Sequence, residues 1–154
     1  MIYSSENVKD VEQIAGDFLQ KIVENNSAKN ATVVFLSGEL GAGKTTFTKN
    51  FAKILGIKER LSSPTFIIFK KYKIPQNKKN KELNINFKNF FHIDAYRLKD
   101  EKDLLHLGWE EILKDKENLI FIEWGEIVSK IIPKKHFKIK IEHTKTGGRK
   151  FHIK

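Results

Sequence analysis

Val8, Val11, Ala15, Phe18 and Ile22 recur three and four residues apart, which predicts an amphipathic first helix with one buried stripe, capped by Ser5 and fading at Asn25-Asn26. The period then changes. Ala31-Thr32-Val33-Val34-Phe35-Leu36 is a β-branched and aromatic run without polar alternation, the pattern of a short strand buried on both faces. From Lys44 the chain is free of glycine and proline, and Phe47, Phe51, Ile54 and Leu55 stripe a second helix that Gly56 can end.

Ser62-Ser63-Pro64-Thr65 interrupts the periodic segments, because the residue before proline is steered away from helix. Residues 66–72 and 86–94 then read as two strands flanking a lysine-rich connection, a hairpin with a long mobile tip. Leu98, Leu104, Leu105, Leu107, Ile112 and Leu113 predict one or two short helices, and residues 118–124, NLIFIEW, another apolar strand. A helical turn to Lys130 follows. Residues 137–143 alternate apolar side chains with lysine, and Gly147-Gly148 turns the chain into a last strand, residues 149–153.

At 154 residues with 40% apolar side chains, the chain is expected to form a single domain, residues 1–154, with residues 70–91 as a lysine-rich hairpin insertion. The absence of cysteine excludes a disulfide framework, a thiolate nucleophile and cysteine-ligated metal. A polar N-terminus and apolar runs far shorter than a bilayer lead us to expect a cytoplasmic protein with no membrane contact. The formal charge of +10 is unevenly spread: +6 falls on residues 70–93 and +7 on 131–154, whereas 94–130 carries −4. Of the 29 cationic residues 26 are lysine, so the arginine fork suited to reading bases is scarce, and a diffuse RNA-facing surface is a more natural reading than sequence-specific recognition.

One stretch carries chemistry. Residues 38–46, GELGAGKTT, match G-x-x-x-x-G-K-T directly after a predicted buried strand and at the start of a predicted helix. Glycines let successive amides turn inward on an anion, and the helix N-terminus adds its partial positive charge. Gly38, Glu39, Leu40, Gly41, Ala42, Gly43, Lys44, Thr45 and Thr46 are therefore candidate phosphate-binding residues, with Lys44 reaching the β- and γ-phosphates and the Thr45 hydroxyl offered to Mg²⁺. A plain glycine turn is the alternative. The loop implies an α/β fold, a three-layer P-loop NTPase domain, and the two hairpins imply a mixed central sheet.

Such a loop needs a carboxylate at the end of a neighbouring strand. Glu123 and Asp94 both end apolar runs; Glu123 is the better metal-side candidate, and Asp94 could equally orient water or a switch loop. His92, two residues before Asp94, reads as a packed or hydrogen-bonded side chain, and Trp124 as packing near the site. Ser63 and Thr65 could contact a γ-phosphate or form an ordinary turn. Arg149, behind two glycines, is a candidate phosphate contact or a solvated arginine.

Together GELGAGKTT (38–46), SPTF (63–66), HIDAYRL (92–98), IEWGE (122–126) and the terminal Gly148-Arg149 resemble the small bacterial ATPases required for threonylcarbamoyladenosine modification of tRNA. The resemblance implies that residues 40–45 wrap the phosphates of ATP, that Thr45 and Glu123 hold Mg²⁺, that Asp94 assists the attacking water, and that Arg149 approaches the nucleotide. It implies catalysis by Lys44, Asp94 and Glu123, and hydrolysis that drives or resets the threonylcarbamoyl-transferase subunits acting on tRNA. It also implies an adenine contact near residues 5–7. The departure lies at 70–91, longer and richer in lysine than the pattern, read as a surface insertion with an RNA- or partner-facing hairpin as the alternative. Rival readings are a small P-loop kinase, which needs an acceptor pocket and usually an arginine-bearing lid, and a nucleic-acid-binding module that uses nucleotide as a structural ligand. No guanine-reading N/T-K-x-D element is present, which favours ATP.

Overall fold

A computed structural model describes residues 1–25, 29–61 and 68–154. Seven strands form one mixed sheet: β1 (Ile2–Ser5), β2 (Thr32–Ser37), β3 (Phe69–Lys73), β4 (Asn89–Asp94), β5 (Asn118–Glu123), β6 (Phe137–His143) and β7 (Arg149–Ile153), in the spatial order β1-β7-β6-β2-β5-β4-β3. The four central strands β6, β2, β5 and β4 are mutually parallel, and β3, β7 and β1 add antiparallel edges.

The sheet's two faces follow from the alternation along its central strands. Val34 and Leu36 of β2, Leu119 and Phe121 of β5, and Phe90 of β4 face one helical layer, α1 (Val8–Glu24) and α2 (Lys44–Ile54). Their neighbours Val33, Phe35, Ile120, Ile122, Phe91 and Ile93 face the other, α4 (Glu101–Leu105), α5 (Trp109–Lys114) and a 3₁₀ segment (Gly125–Ile131). This is the expected three-layer α/β arrangement with a mixed sheet. The first layer is rich in phenylalanine: the Phe121 ring lies 4.6 Å from Phe51 and 5.1 Å from Phe90, which ties α2 to the strand that ends in Glu123. β6 and β7 bury Ile139, Ile141, Phe151 and Ile153 on the first face only, and Lys138, Lys140 and Lys150 are exposed on the other.

Two local features here differ from expectation. The cap of α1 is Asn7, not Ser5: Asn7 Oδ1 accepts from Asp10 N at 3.1 Å while the Asp10 carboxylate accepts from Asn7 N at 3.2 Å and Glu6 N at 2.8 Å. This reciprocal box satisfies donors that Ser5 cannot reach, because Ser5 is buried in β1 with its hydroxyl donating to Asn7 O. The lysine-rich connection is anchored rather than a free tip. It contains a short helix, α3 (Lys78–Glu82), and the fully buried Asn80 donates from Nδ2 to Leu55 O at 2.9 Å and Pro75 O at 2.7 Å. Ile74, Ile85 and Phe87 join the first core, so the connection covers the C-terminal end of α2. Residues 62–67, including Ser63, Pro64 and Thr65, lie outside the described residues.

Candidate phosphate-binding site

Parallel strands bring their C-terminal ends to one edge of the sheet, where open α/β folds bind ligands. Register pairs Leu36 of β2 with Glu123 of β5, and Glu123 with Asp94 of β4, so the end of β2 and both predicted carboxylates meet there. From Ser37 the loop runs to Lys44, the first residue of α2. Gly38, Gly41 and Gly43 all take positive φ. At Gly38 the constraint is also spatial, since a Cβ would collide with the carbonyl oxygen of Ile141 on β6. The N–H groups opening α2 have no intrahelical acceptor, and the positive end of the helix dipole lies at the end of the loop.

Lys44 is held back inside this loop. Its Nζ donates to Gly38 O at 2.7 Å and Glu39 O at 3.0 Å and sits 4.2 Å from the centre of the Trp124 ring. Burial lowers its pKa, and the nearby Glu123, Asp94 and Glu126 oppose that shift. Trp124 takes a left-handed conformation, φ 58°, directly after β5. The following Gly125 lies against Phe35, whose ring occupies the space of a Cβ, and this close approach lets the chain turn so that the indole covers Lys44 and meets the Tyr96 ring at a tilt, 5.1 Å between centroids.

The carboxylates are distinct. Glu123 is buried, and its oxygens accept from Thr45 Oγ1 at 3.0 and 3.2 Å, while Oε1 also lies 2.7 Å from Nε2 of the buried His92. Asp94 is half-buried at the cleft, with Oδ1 accepting from Tyr96 N at 2.9 Å. Its pKa is raised, first by burial and then by the charge of Glu123, against the lowering effects of the Tyr96 N–H, His92 and Lys44. A threonine hydroxyl beside carboxylate oxygen is a hard-oxygen donor set, which fits Mg²⁺.

Two small clefts of about 280 Å³ each flank the loop. One is lined by Leu40, Lys44, Thr45, Asp94, Tyr96, Glu123 and Trp124, with Leu40 81% exposed at its lip. The other lies between residues 5–7, residues 41–43 with Thr46, and residues 147–149. Arg149 borders this second cleft: its Nε donates to Ala42 O at 3.0 Å and its Nη1 to the carbonyls of Gly147 and Gly148. A larger concavity of about 1060 Å³ lies over the uncovered side of β6 and β7, reaching the loop only at residues 37–39 and Trp124. Its Lys138, Lys140, Lys145 and Lys150 alternate with Glu39, Glu126 and Glu142, so it lacks the convergent donors of the two clefts.

The structure thus brings Gly38 to Thr46, Asp94 and Glu123 together and sets Arg149 against the back of the loop. Tyr96 and the wall at residues 5–7 complete the surroundings. Tyr96 carries no signal of its own beyond its place in HIDAYRL.

A glycine loop between a parallel strand and a helix, with a lysine and threonine opening that helix, defines the nucleotide-binding fold of the phosphate-loop class. The model of the family described as threonylcarbamoyl adenosine biosynthesis protein TsaE matches residues 5–151, and the chain belongs to this family. Proteins named tRNA threonylcarbamoyladenosine biosynthesis protein TsaE resemble it: that of Bacillus subtilis (strain 168) is 45% identical over 80 residues, 52% of this chain and 44% of that protein. The Rickettsia typhi protein is 35% identical over 106 residues, 68% of this chain and 62% of that one, and the Aquifex aeolicus protein 32% identical over 115 residues, 69% and 74%. The match to the first two thus spans about half to three fifths of their length. The crystal structure of Bacillus subtilis YdiB superposes with a TM-score of 0.70 at 26% identity, covering 98% of this chain and 82% of that one. Among the described residues, no helix is long and apolar enough to cross a membrane.

Proposed function

We propose that residues 1–154 act as one Mg²⁺-dependent ATPase domain, hydrolysing ATP in the service of the proteins that transfer the threonylcarbamoyl group to tRNA. The observation that carries this reading is the contact of Thr45 Oγ1 with Glu123 at the mouth of a loop that holds Lys44. Thr45 and Glu123 would hold Mg²⁺, which when bound supplies charge neutralisation along the phosphates. Lys44 exchanges the carbonyls of Gly38 and Glu39 for phosphate oxygens. Asp94, at the cleft and resisting ionisation, is placed to accept a hydrogen bond from the attacking water. The cleft between residues 5–7 and Arg149 receives the base, and the guanidinium, already tied to Ala42 O, braces the loop.

Phosphoryl transfer depends mainly on positioning and electrostatics, so an isolated subunit with an open cleft turns over slowly and a transferase partner can complete the site. The test is phosphate release from Mg·ATP by the protein alone and with the transferase proteins. Lys44→Ala should lower it at least about 100-fold while the fold, read by circular dichroism, is kept. Undiminished hydrolysis in Lys44→Ala overturns the reading. Transfer of phosphate to a small acceptor points to the kinase alternative, and salt-sensitive RNA binding without hydrolysis points to the nucleic-acid module.

A further inference from the structure

Glu123 is held by two donors of different character. Thr45 Oγ1 lies 3.0 Å from one carboxylate oxygen and 3.2 Å from the other, so the hydroxyl bridges the two and does not fix which way the group is turned. His92 Nε2 lies 2.7 Å from Oε1 alone. That contact is shielded from water, with His92 at 0% and Glu123 at 3% exposure. A carboxylate oxygen accepts, so Nε2 is the donor of this contact; Nδ1 is buried and has no partner among the described residues. A buried ring nitrogen without a partner is a cost that an apolar side chain at position 92 would avoid. Packing therefore gives no reason for imidazole here, and the bond to Oε1 does.

We infer that His92 is the positioning residue of the metal-side carboxylate. It clamps Oε1, breaks the near-symmetry of the Thr45 contact, and leaves Oε2, whose sole partner among the described residues is that hydroxyl, as the oxygen presented to a divalent ion. Register makes this possible: His92 pairs with Phe121 and Asp94 with Glu123, so the imidazole reaches diagonally across two parallel strands from beneath the site. The inference rests on the ATPase reading, since it concerns the carboxylate which that reading gives to Mg²⁺.

The test uses Mn²⁺ as the probe, titrated by electron paramagnetic resonance against protein with ADP, in the parent, His92→Phe and His92→Gln. Phenylalanine fills the space without donating, and glutamine restores a donor. Mn²⁺ affinity should fall about 10- to 100-fold in His92→Phe and largely recover in His92→Gln, with metal-free ADP affinity the same in all three. Parent-like Mn²⁺ affinity in His92→Phe, or no recovery in His92→Gln, overturns the role of His92 and leaves the ATPase reading standing. Absence of nucleotide-dependent Mn²⁺ uptake by the parent overturns both. Should His92→Phe fail to fold, ¹⁵N-histidine spectra of the parent decide: Nε2 should carry the proton and its resonance should move when Mg²⁺ joins the ADP complex. A bare Nε2, or a resonance indifferent to Mg²⁺, overturns the inference.

Discussion

Asp94 and Glu123 are register partners on adjacent parallel strands, yet their surroundings differ: Glu123 is buried with donors on both sides, whereas Asp94 is half-buried with the Tyr96 backbone N–H on one oxygen. Two carboxylates so close repel each other, and the one with fewer donors yields. The raised pKa of Asp94 reflects that repulsion on top of its burial.

A stability difference follows, and its sign is fixed. A carboxyl whose native pKa lies above its unfolded value binds its proton more tightly when folded, so stability falls as pH rises through the window between the ordinary aspartate value of 3.8 and the raised one. Asp94→Asn keeps the acceptor for Tyr96 and removes the charge. Without ligand it should melt higher than the parent at about pH 7, and that advantage should shrink as the pH is lowered into the window. Thermal melts across pH check this; an advantage that grows on acidification would contradict it. ATP turnover of the same variant should fall.

Trp124 provides a spectroscopic handle. Lys44 Nζ rests over its ring, while the other tryptophan, Trp109, is buried and donates to Ile131 O at 3.0 Å. Mg·ADP should draw Lys44 from the indole and change the emission, and Trp124→Phe should abolish the change without preventing binding measured by calorimetry.

Glu123→Gln keeps an oxygen that can accept from Thr45 or His92 but removes the charge. Turnover should drop at least about 100-fold with little change in the melting temperature. Glu123→Ala should also destabilise the fold by about 1–3 kcal/mol, because it strands the buried Nε2–H of His92. Urea titration separates the two substitutions.

Asn80 holds the lysine-rich connection to the end of α2. Asn80→Ala leaves the carbonyls of Leu55 and Pro75 without this donor and should cost about 1–3 kcal/mol in urea unfolding. Deleting residues 75–81 should lower stability by more, since it also removes cover from the core beneath Ile74, Ile85 and Phe87. A deletion variant as stable as the parent would restore the picture of a free tip.

Much of this was legible in the sequence because the core segments are strongly periodic. β2 and β5 carry unbroken apolar runs, α1 and α2 single stripes, and the glycine loop sits between two of them, so the loop and both strand-end carboxylates could be placed without coordinates. β1 could not: two of its four residues are exposed, it carries no apolar run, and it exists because β7 offers it an edge. The same holds for α3, a five-residue lysine-rich helix fixed by Asn77 and the burial of Asn80. At the site, the His92 contact depends on inter-strand register, and the Lys44–Trp124 contact on Gly125 meeting Phe35. Neither is encoded by spacing along the chain.

The pairing of β1 with β7 has a temporal consequence. The Met1 ammonium donates to Ile153 O at 2.7 Å, 152 residues away, and residues 5–7 face Arg149 across the second cleft. During synthesis the phosphate loop and its carboxylates can dock as soon as β5 is made, but one wall of that cleft must wait for a strand not yet translated. A nascent chain halted before residue 149 could cradle an anion, yet it would have only half a pocket for whatever the anion is attached to.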